Sequence, residues 1–284
     1  WCMSEISGTK MAVFGMGIIG SRCADNLAEA GIDIRTWNRT IKGRNDEAKS
    51  AADAAKGAAV VAFYLKDGVA CREVFEQISE SLSECKILLN HSTIDLETTL
   101  WLAAECEALD VAFLDCPFTG SKVAAQNGEL VYYVGGDEIL LEQYREILEI
   151  TSKEVIPVGK VGNATVIKVA TNLISASTVQ ALSESLAIAT ANGIPAESFI
   201  SAVEGNACGS VLAAMKLPTM VEGDYDTHFS LDNMLKDAKF AIKLAEDANL
   251  KTPGIETTAN VMNELCENGS ASLDYSALYR QFEQ

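Results

Sequence analysis

The sequence predicts an α/β protein: a doubly wound parallel sheet of Rossmann type, followed by an all-helical C-terminal domain. Three observations carry this. Short apolar runs alternate with helical patterns over roughly the first 160 residues. A Gly-x-Gly-x-x-Gly closes the first run and opens the first helix. No convincing strand pattern appears after Gly162. Repeated β-α units with apolar strands indicate a sheet covered on both faces.

In chain order, Met11–Phe14 is a short apolar strand, and Ile18–Ala30 a helix stopped by Gly31. A glycine just past the last helical residue is a natural C-terminal cap. Ile32–Trp37 reads as a strand, Ala51–Lys56 as a helix and Ala58–Leu65 as a fully buried strand. The pattern continues with helix Val69–Leu82, strand Lys86–Asn90, helix Leu96–Ala108 and strand Val111–Asp115. Strand Leu130–Val134, helix Glu138–Glu149 and strand Glu154–Val158 end the alternating part. Ala164–Asn192 is one long Ala/Ser-rich helix, followed by helices at Ala196–Gly205, Val211–Val221, Asn233–Asn249 and Ile255–Asn268. The domain boundary therefore falls near residue 160, giving 1–160 and 161–284.

Composition narrows the function. The chain has 284 residues and a formal net charge of −18. That charge argues against nucleic acid and against an anionic membrane surface, so an anionic ligand must be held by local positive groups. The apolar runs fall well short of the ~20 residues a bilayer requires. Trp1-Cys2-Met3-Ser4-Glu5 lacks the basic and apolar regions of a signal peptide, and Met3 reads as a natural start. The eight cysteines contain no Cys-x-x-Cys pair, and His91 and His228 are the only histidines. Reduced, packed thiols in a cytoplasmic setting and no metal site are expected.

The loop Gly15-Met16-Gly17-Ile18-Ile19-Gly20 sits between a strand and a helix, the context that makes this motif a dinucleotide cradle. Gly15 permits the tight turn, Gly17 lets a pyrophosphate approach the backbone, and Gly20 lets the helix lie close to the sheet. The helix start offers N–H groups and partial positive charge to phosphates. At the end of the second strand, where an NAD enzyme carries Asp or Glu, stand Asn38, Arg39 and Thr40. Asn38 repels no 2′-phosphate, Arg39 can pair with one and Thr40 can donate to one. Lys42 and Arg44 add local positive charge. NADP(H) is the expected cofactor.

Lys168 and Asn172 lie four apart on the long helix, among apolar or small neighbours. Residues so spaced share a face. A lysine buried in such surroundings costs several kcal/mol unless it is solvated, paired or shifted in pKa. A lysine with a lowered pKa suits proton transfer near neutral pH. The alternative is a lysine reaching back to the surface.

The ordered motifs Gly15-x-Gly17-x-x-Gly20, Asp115-x-Pro117-x-Thr119-Gly120-Ser121, Gly162 with Lys168 and Asn172, and Lys236-Asp237 resemble the β-hydroxyacid dehydrogenase family. That family includes 3-hydroxyisobutyrate dehydrogenase, tartronate semialdehyde reductase and glyoxylate/succinic semialdehyde reductase. The resemblance implies that Lys168 is the catalytic proton donor and that Asn172 orients it or the substrate. It implies that Thr119, Gly120, Ser121 and Phe229 bind the substrate, a small carboxylate-bearing molecule. It places Leu65, Thr93, Lys236 and Asp237 with the glycine loop around the cofactor. The first domain would hold NADP, and the helical domain would serve substrate binding and pairing into a homodimer or homotetramer.

The chain departs from the family pattern in three places. Only nineteen residues, Ile41 to Ala59, precede the strand that resumes at Val60, where the family fits an extra helix and strand. Leu65-Lys66-Asp67 replaces a Leu-Pro turn, and Thr119-Gly120-Ser121-Lys122 replaces the commoner Ser-Gly-Gly. The latter is closest to the glyoxylate/succinic semialdehyde reductases, which makes NADPH-dependent reduction of a small aldehyde or keto acid the expected activity. Oxidation of a 3-hydroxy acid, imine reduction and a non-catalytic binding role are the alternatives. Lys168 argues against the last two.

Overall fold

The computed structural model describes residues 8–283. The segment read for a signal peptide and for a start at Met3 lies outside them. The first unit is built on a five-stranded parallel sheet of order β2-β1-β3-β4-β5. Its strands are β1 (Lys10–Phe14), β2 (Asp33–Trp37), β3 (Val60–Phe63), β4 (Ile87–Asn90) and β5 (Ala112–Asp115). Alternate residues of these strands feed two separate cores. Met11, Val13, Val60, Ala62, Ile87 and Leu89 pack on one face. Ala12, Phe14, Val61, Phe63, Leu88 and Phe113 pack on the other. Side chains alternate along a strand, so a sheet covered twice needs apolar residues at every position.

Several helices start where a side chain can accept from the first turn. Asp67 accepts from Ala70 N at 2.9 Å, Asp95 from Thr98 N at 2.8 Å and Asp137 from Leu140 N at 2.9 Å. Each such cap stabilises its helix by ~1 kcal/mol. The first helix, α1 (Gly20–Glu29), ends at Gly31 with φ +89°, as the sequence implies.

The strands after β5 do not extend the parallel sheet. β6 (Phe118–Thr119), β7 (Leu130–Val134) and β8 (Ser152–Pro157) form a second, three-stranded sheet. β6 pairs antiparallel with β7, and β7 pairs parallel with β8. Only Cys116-Pro117 separates β5 from β6, far too short for the crossover that a parallel neighbour requires.

The short Ile41–Ala59 segment beyond β2 closes without the extra helix and strand. Residues 46–48 bond to the edge of β2 through Thr36 N to Asp46 O (2.9 Å) and Ala48 N to Thr36 O (2.8 Å). The short helix α2 (Ala51–Ala55) then leads into β3.

The chain divides after Lys168 into two compact units. The long helix Asn163–Ala191 runs through the division. The second unit contains helices Ala196–Glu204, Val211–Glu222, Leu231–Asp247 and Pro253–Leu265, and a 3-10 segment Tyr275–Phe282 that the sequence pattern did not reveal. Its core joins Ala176, Val179 and Leu186 to Leu217, Met220, Leu231 and Met262. No described helix is long and apolar enough to cross a membrane.

Candidate active site

Within the first unit, the elements that the sequence assigns to the cofactor leave the sheet at the C-terminal ends of its strands. Asn38 follows β2, Gly15 follows β1, Leu65 lies just beyond β3, and Thr93 just beyond β4. Neighbouring strands are in register, so these residues share one rim. In open α/β sheets this rim, where strand order reverses, is where ligands bind.

The three glycines are required for different reasons. Gly15 has φ +98°, and a Cβ there would lie 2.3 Å from Tyr64 O. A Cβ on Gly20 would meet Gly15 O at 2.0 Å, so this glycine brings α1 onto the strand ends. A Cβ on Gly17 would meet nothing within 4 Å. Gly17 is therefore not demanded by internal packing, and its bare backbone faces open space at the start of α1. Ile19, preceding that helix, supplies no side-chain cap to its first turn. Asn38 Oδ1 accepts from Met16 N at 3.0 Å, while its Nδ2 donates to Thr40 O at 2.7 Å. The amide thus ties the glycine loop to the turn carrying Arg39, which is exposed.

Arg44 corrects the expectation of surplus positive charge. Its guanidinium lies 2.8 Å from both Asp25 and Asp46, which hold it cationic but neutralise it locally. Beneath the rim, His91 is 2% exposed and stacks on Tyr64 at 4.5 Å. Its Nδ1 lies 2.9 Å from Cys116 O, and burial pushes its pKa down to about 4. His91 is a neutral packing residue at physiological pH. Tyr64 OH, Tyr132 OH and Thr151 Oγ1 continue as a buried chain at 2.9 and 2.8 Å.

Next along the rim, β5 ends at Asp115, which is fully buried. Its backbone pairs with Gly135 in both directions. Its carboxylate accepts from Gly162 N (3.2 Å), Thr165 N (2.9 Å) and Thr165 Oγ1 (3.0 Å). Thr165 Oγ1 also meets Thr99 Oγ1 at 2.9 Å. Burial raises this carboxyl to about 6, against the lowering effect of its hydrogen bonds from Thr165 and Gly162. Four residues on from Asp115, the Thr119–Ser121 loop turns at Gly120, with φ +142° and no room for a Cβ beside Leu130. Ser121 Oγ accepts from Ala124 N at 3.2 Å. A hydroxyl that accepts there still has its own hydrogen to donate. Lys168, six residues past Gly162 on the long helix, is 8% exposed.

Within the second unit, Asn172 Nδ2 donates to Asp237 Oδ2 at 2.6 Å, and Lys236 Nζ lies 3.0 Å from Asp237 Oδ1. Asp237 is fully buried. Phe229 is half-buried and meets Tyr275 edge-on at 6.1 Å. His228 is exposed. The segment bearing both is held by Asp274, whose Oδ2 accepts from His228 N (3.2 Å) and Phe229 N (3.1 Å). Lys216 Nζ lies 2.6 Å from Asp274 Oδ1 and 4.4 Å from the Tyr275 ring centre.

Comparison with known proteins covers almost the whole chain. Residues 10–159 match the family described as the NAD binding domain of 6-phosphogluconate dehydrogenase. Residues 162–282 match the NAD-binding region of NADP-dependent 3-hydroxyisobutyrate dehydrogenase. The chain belongs to the β-hydroxyacid dehydrogenase family. It is 28% identical to glyoxylate/succinic semialdehyde reductase 2, chloroplastic, of Arabidopsis thaliana, over 96% of this chain and 79% of that protein. It is 26% identical to 2-hydroxy-3-oxopropionate reductase of Escherichia coli K12, over 96% and 97% respectively. The solved Mycobacterium tuberculosis 3-hydroxyisobutyrate dehydrogenase with L-serine superposes with a TM-score of 0.87 at 24% identity, over 98% and 100%.

As a β-hydroxyacid dehydrogenase, the protein is an NAD(P)-dependent oxidoreductase acting on CH–OH groups. The first unit fits a nicotinamide dinucleotide: Gly17 leaves a bare backbone at a helix start where any Cβ would fill the approach. The structure adds residues that sequence reasoning missed. Asp115 stands in the sequence only as the head of a motif, because its bonds to Gly162 and Thr165 span about fifty residues. Lys216 could have been found, because it too sits among apolar neighbours on a helical pattern, as Lys168 does.

Proposed function

We propose that the protein reduces a small aldehyde or keto acid of the glyoxylate or succinic semialdehyde type, preferring NADPH. The observation that carries this reading is a lysine, Lys168, only 8% exposed on a helix whose first turn is bonded to Asp115, at the end of β5 and four residues before the substrate loop. A lysine ammonium carries hydrogens that it can donate to an oxygen. When bound, NADPH supplies the hydride. Lys168 Nζ donates its proton to the carbonyl oxygen as negative charge builds there, and the oxygen becomes the hydroxyl of the product. Asn172, anchored by Asp237, holds the polar end of the site in place. Thr119, Ser121 and the Gly120 N–H receive the substrate carboxylate, with Lys122 adding positive charge nearby. Arg39 takes the 2′-phosphate. Phe229 lines the pocket, and Leu65, Thr93 and Lys236 border the cofactor. The apolar face of the long helix, with Val166 and Ile174 exposed, supports pairing of two copies.

The decisive experiment follows NADPH and NADH oxidation with glyoxylate, succinic semialdehyde, tartronate semialdehyde and methylmalonate semialdehyde. Turnover with NADPH and a carboxylate-bearing aldehyde is expected. Equal turnover of a simple aldehyde would remove the role given to the Thr119–Ser121 loop. Lys168→Ala is expected to lower kcat by ~10²–10⁴-fold while leaving NADPH affinity intact. Retention of more than about a tenth of the activity, outside that range, would overturn the proton-donor role.

A further inference from the structure

We propose that Asp115 is a positioning residue that fixes Lys168 relative to the Thr119–Ser121 loop, by anchoring both to one side chain. This rests on the reading of Lys168 as the proton donor.

Two parts of the proposed chemistry depart from Asp115 in opposite directions. Along the chain, Asp115 is the last residue of β5, and its backbone is held by Gly135 N and O at 2.8 and 3.0 Å. The substrate loop begins four residues later, and Pro117 O accepts from Tyr133 N at 3.0 Å on the way. Across space, the carboxylate grips the start of the long helix at Gly162 N, Thr165 N and Thr165 Oγ1. Thr99 Oγ1 supports the same hydroxyl from the helix Leu96–Ala108.

An α-helix is stiff over one turn, and residues three apart share a face. Thr165 and Lys168 are such a pair. Fixing the backbone and hydroxyl of Thr165 therefore sets both the height and the rotation of the turn from which Lys168 projects. Gly162 has φ +91°, and a Cβ there would lie 2.7 Å from Leu96 Cδ1, so the helix start is confined on that side too.

A fully buried carboxylate, with no cation paired to it among the described residues, is a costly way to cap a helix. Serine or threonine would cap one N–H. Only a carboxylate or carboxamide oxygen at this point reaches two backbone N–H groups while its second atom meets the Thr165 hydroxyl. Multiple contacts to one helix start give positional control that a single cap does not.

The test separates position from charge and from folding. Asp115→Ala leaves two buried N–H groups without their acceptor and frees the helix start. Displacements near 1 Å cost on the order of 10²-fold in rate. We expect kcat to fall ~10–100-fold, with substrate KM and the NADPH dissociation constant each within about threefold of wild type. Asp115→Asn keeps an oxygen for both N–H groups and is expected to restore kcat to within about threefold. Thr165→Val and Thr165→Ser form a second pair, with loss in the first and recovery in the second. They decide the matter if Asp115→Ala does not fold. A folded Asp115→Ala with wild-type kcat overturns the proposal. So does a loss in kcat matched by an equal loss of NADPH affinity, or an Asn variant as poor as Ala. Lys168→Ala is run alongside. If it is inactive while the Asp115 and Thr165 variants keep full kcat, positioning fails and the proton donor stands. If it keeps turnover, the functional reading fails and this proposal falls with it.

Discussion

Two buried aspartates organise the two units in opposite electrostatic ways. Asp115 in the first unit binds two backbone N–H groups and a hydroxyl, and among the described residues no cation pairs with it. Asp274 in the second unit also takes backbone N–H groups, from His228, Phe229 and Ser276, but it has Lys216 at 2.6 Å as well. The outcome differs in sign: burial raises the Asp115 carboxyl to about 6, whereas Asp274 is held below the ordinary carboxylate value despite its burial. Hydrogen bonds alone do not offset the loss of water around Asp115, and one well-placed ammonium tips the balance at Asp274. The first arrangement anchors the start of the helix that carries Lys168. The second stitches the Phe229 segment to the C-terminal region.

The largest effect is expected from breaking the paired member. Lys216→Met strands Asp274 as a buried charge, and removing one partner of such a pair costs ~3–5 kcal/mol. Urea unfolding followed by circular dichroism measures this. A loss under about 1 kcal/mol would mean that the ion pair contributes no more than one at the surface.

The unpaired member is sharpened by pH. The Asp115 carboxyl is raised, so its contribution to stability is present below its ordinary value near 3.8 and is lost as pH rises through about 6. His91 runs the other way. Its folded pKa of about 4 lies below the ordinary 6.5, so its contribution is present above 6.5 and lost as pH falls through about 4. Each corresponds to about 3 kcal/mol at 1.36 kcal/mol per unit, so they nearly cancel between pH 4 and 6.5. Wild-type stability is expected to be flat across that window with respect to these two groups. Asp115→Asn removes one side, and stability should then climb from pH 4 to 6.5. An unchanged profile in that variant would place the Asp115 titration outside the window.

The smallest effect extends the contrast to two arginines. Arg44 is engaged by Asp25 and Asp46, whereas Arg39 is exposed beside the turn that Asn38 fixes. Arg39→Ala is expected to weaken NADPH by ~1–3 kcal/mol, the worth of a charged hydrogen bond, and to leave NADH nearly unchanged. Arg44→Ala should do less to either cofactor. Fluorescence titration of all three proteins reads both. Equal losses of NADPH and NADH in Arg39→Ala would remove the 2′-phosphate role.

Much of the first unit was legible because its signals are local. A glycine loop between an apolar run and a helix, and central strands that are mostly apolar, announce themselves within a few residues. The second sheet was not legible, because β6 has two residues and its direction is set by the brevity of the Cys116-Pro117 link. The polar hubs were illegible for a different reason. Asp115 meets Thr165 fifty residues away, and Lys216 meets Asp274 across fifty-eight. Nothing near an aspartate in sequence says which helix it will hold. Lys216 has the local pattern of Lys168, and only the fold shows that it meets Asp274.

The short segment after β2 has a consequence of its own. A strand at a sheet edge exposes unsatisfied N–H and C=O groups, a template on which a foreign strand can grow. Here Thr36, near the end of that edge, spends its N–H on Asp46 and its C=O on Ala48, and its hydroxyl meets the Asp46 carboxylate at 2.8 Å. The segment thus covers part of the border of the sheet as well as crossing it. Loosening residues 46–48 would return the N–H and C=O of Thr36 to the open edge as groups on which a foreign strand can pair.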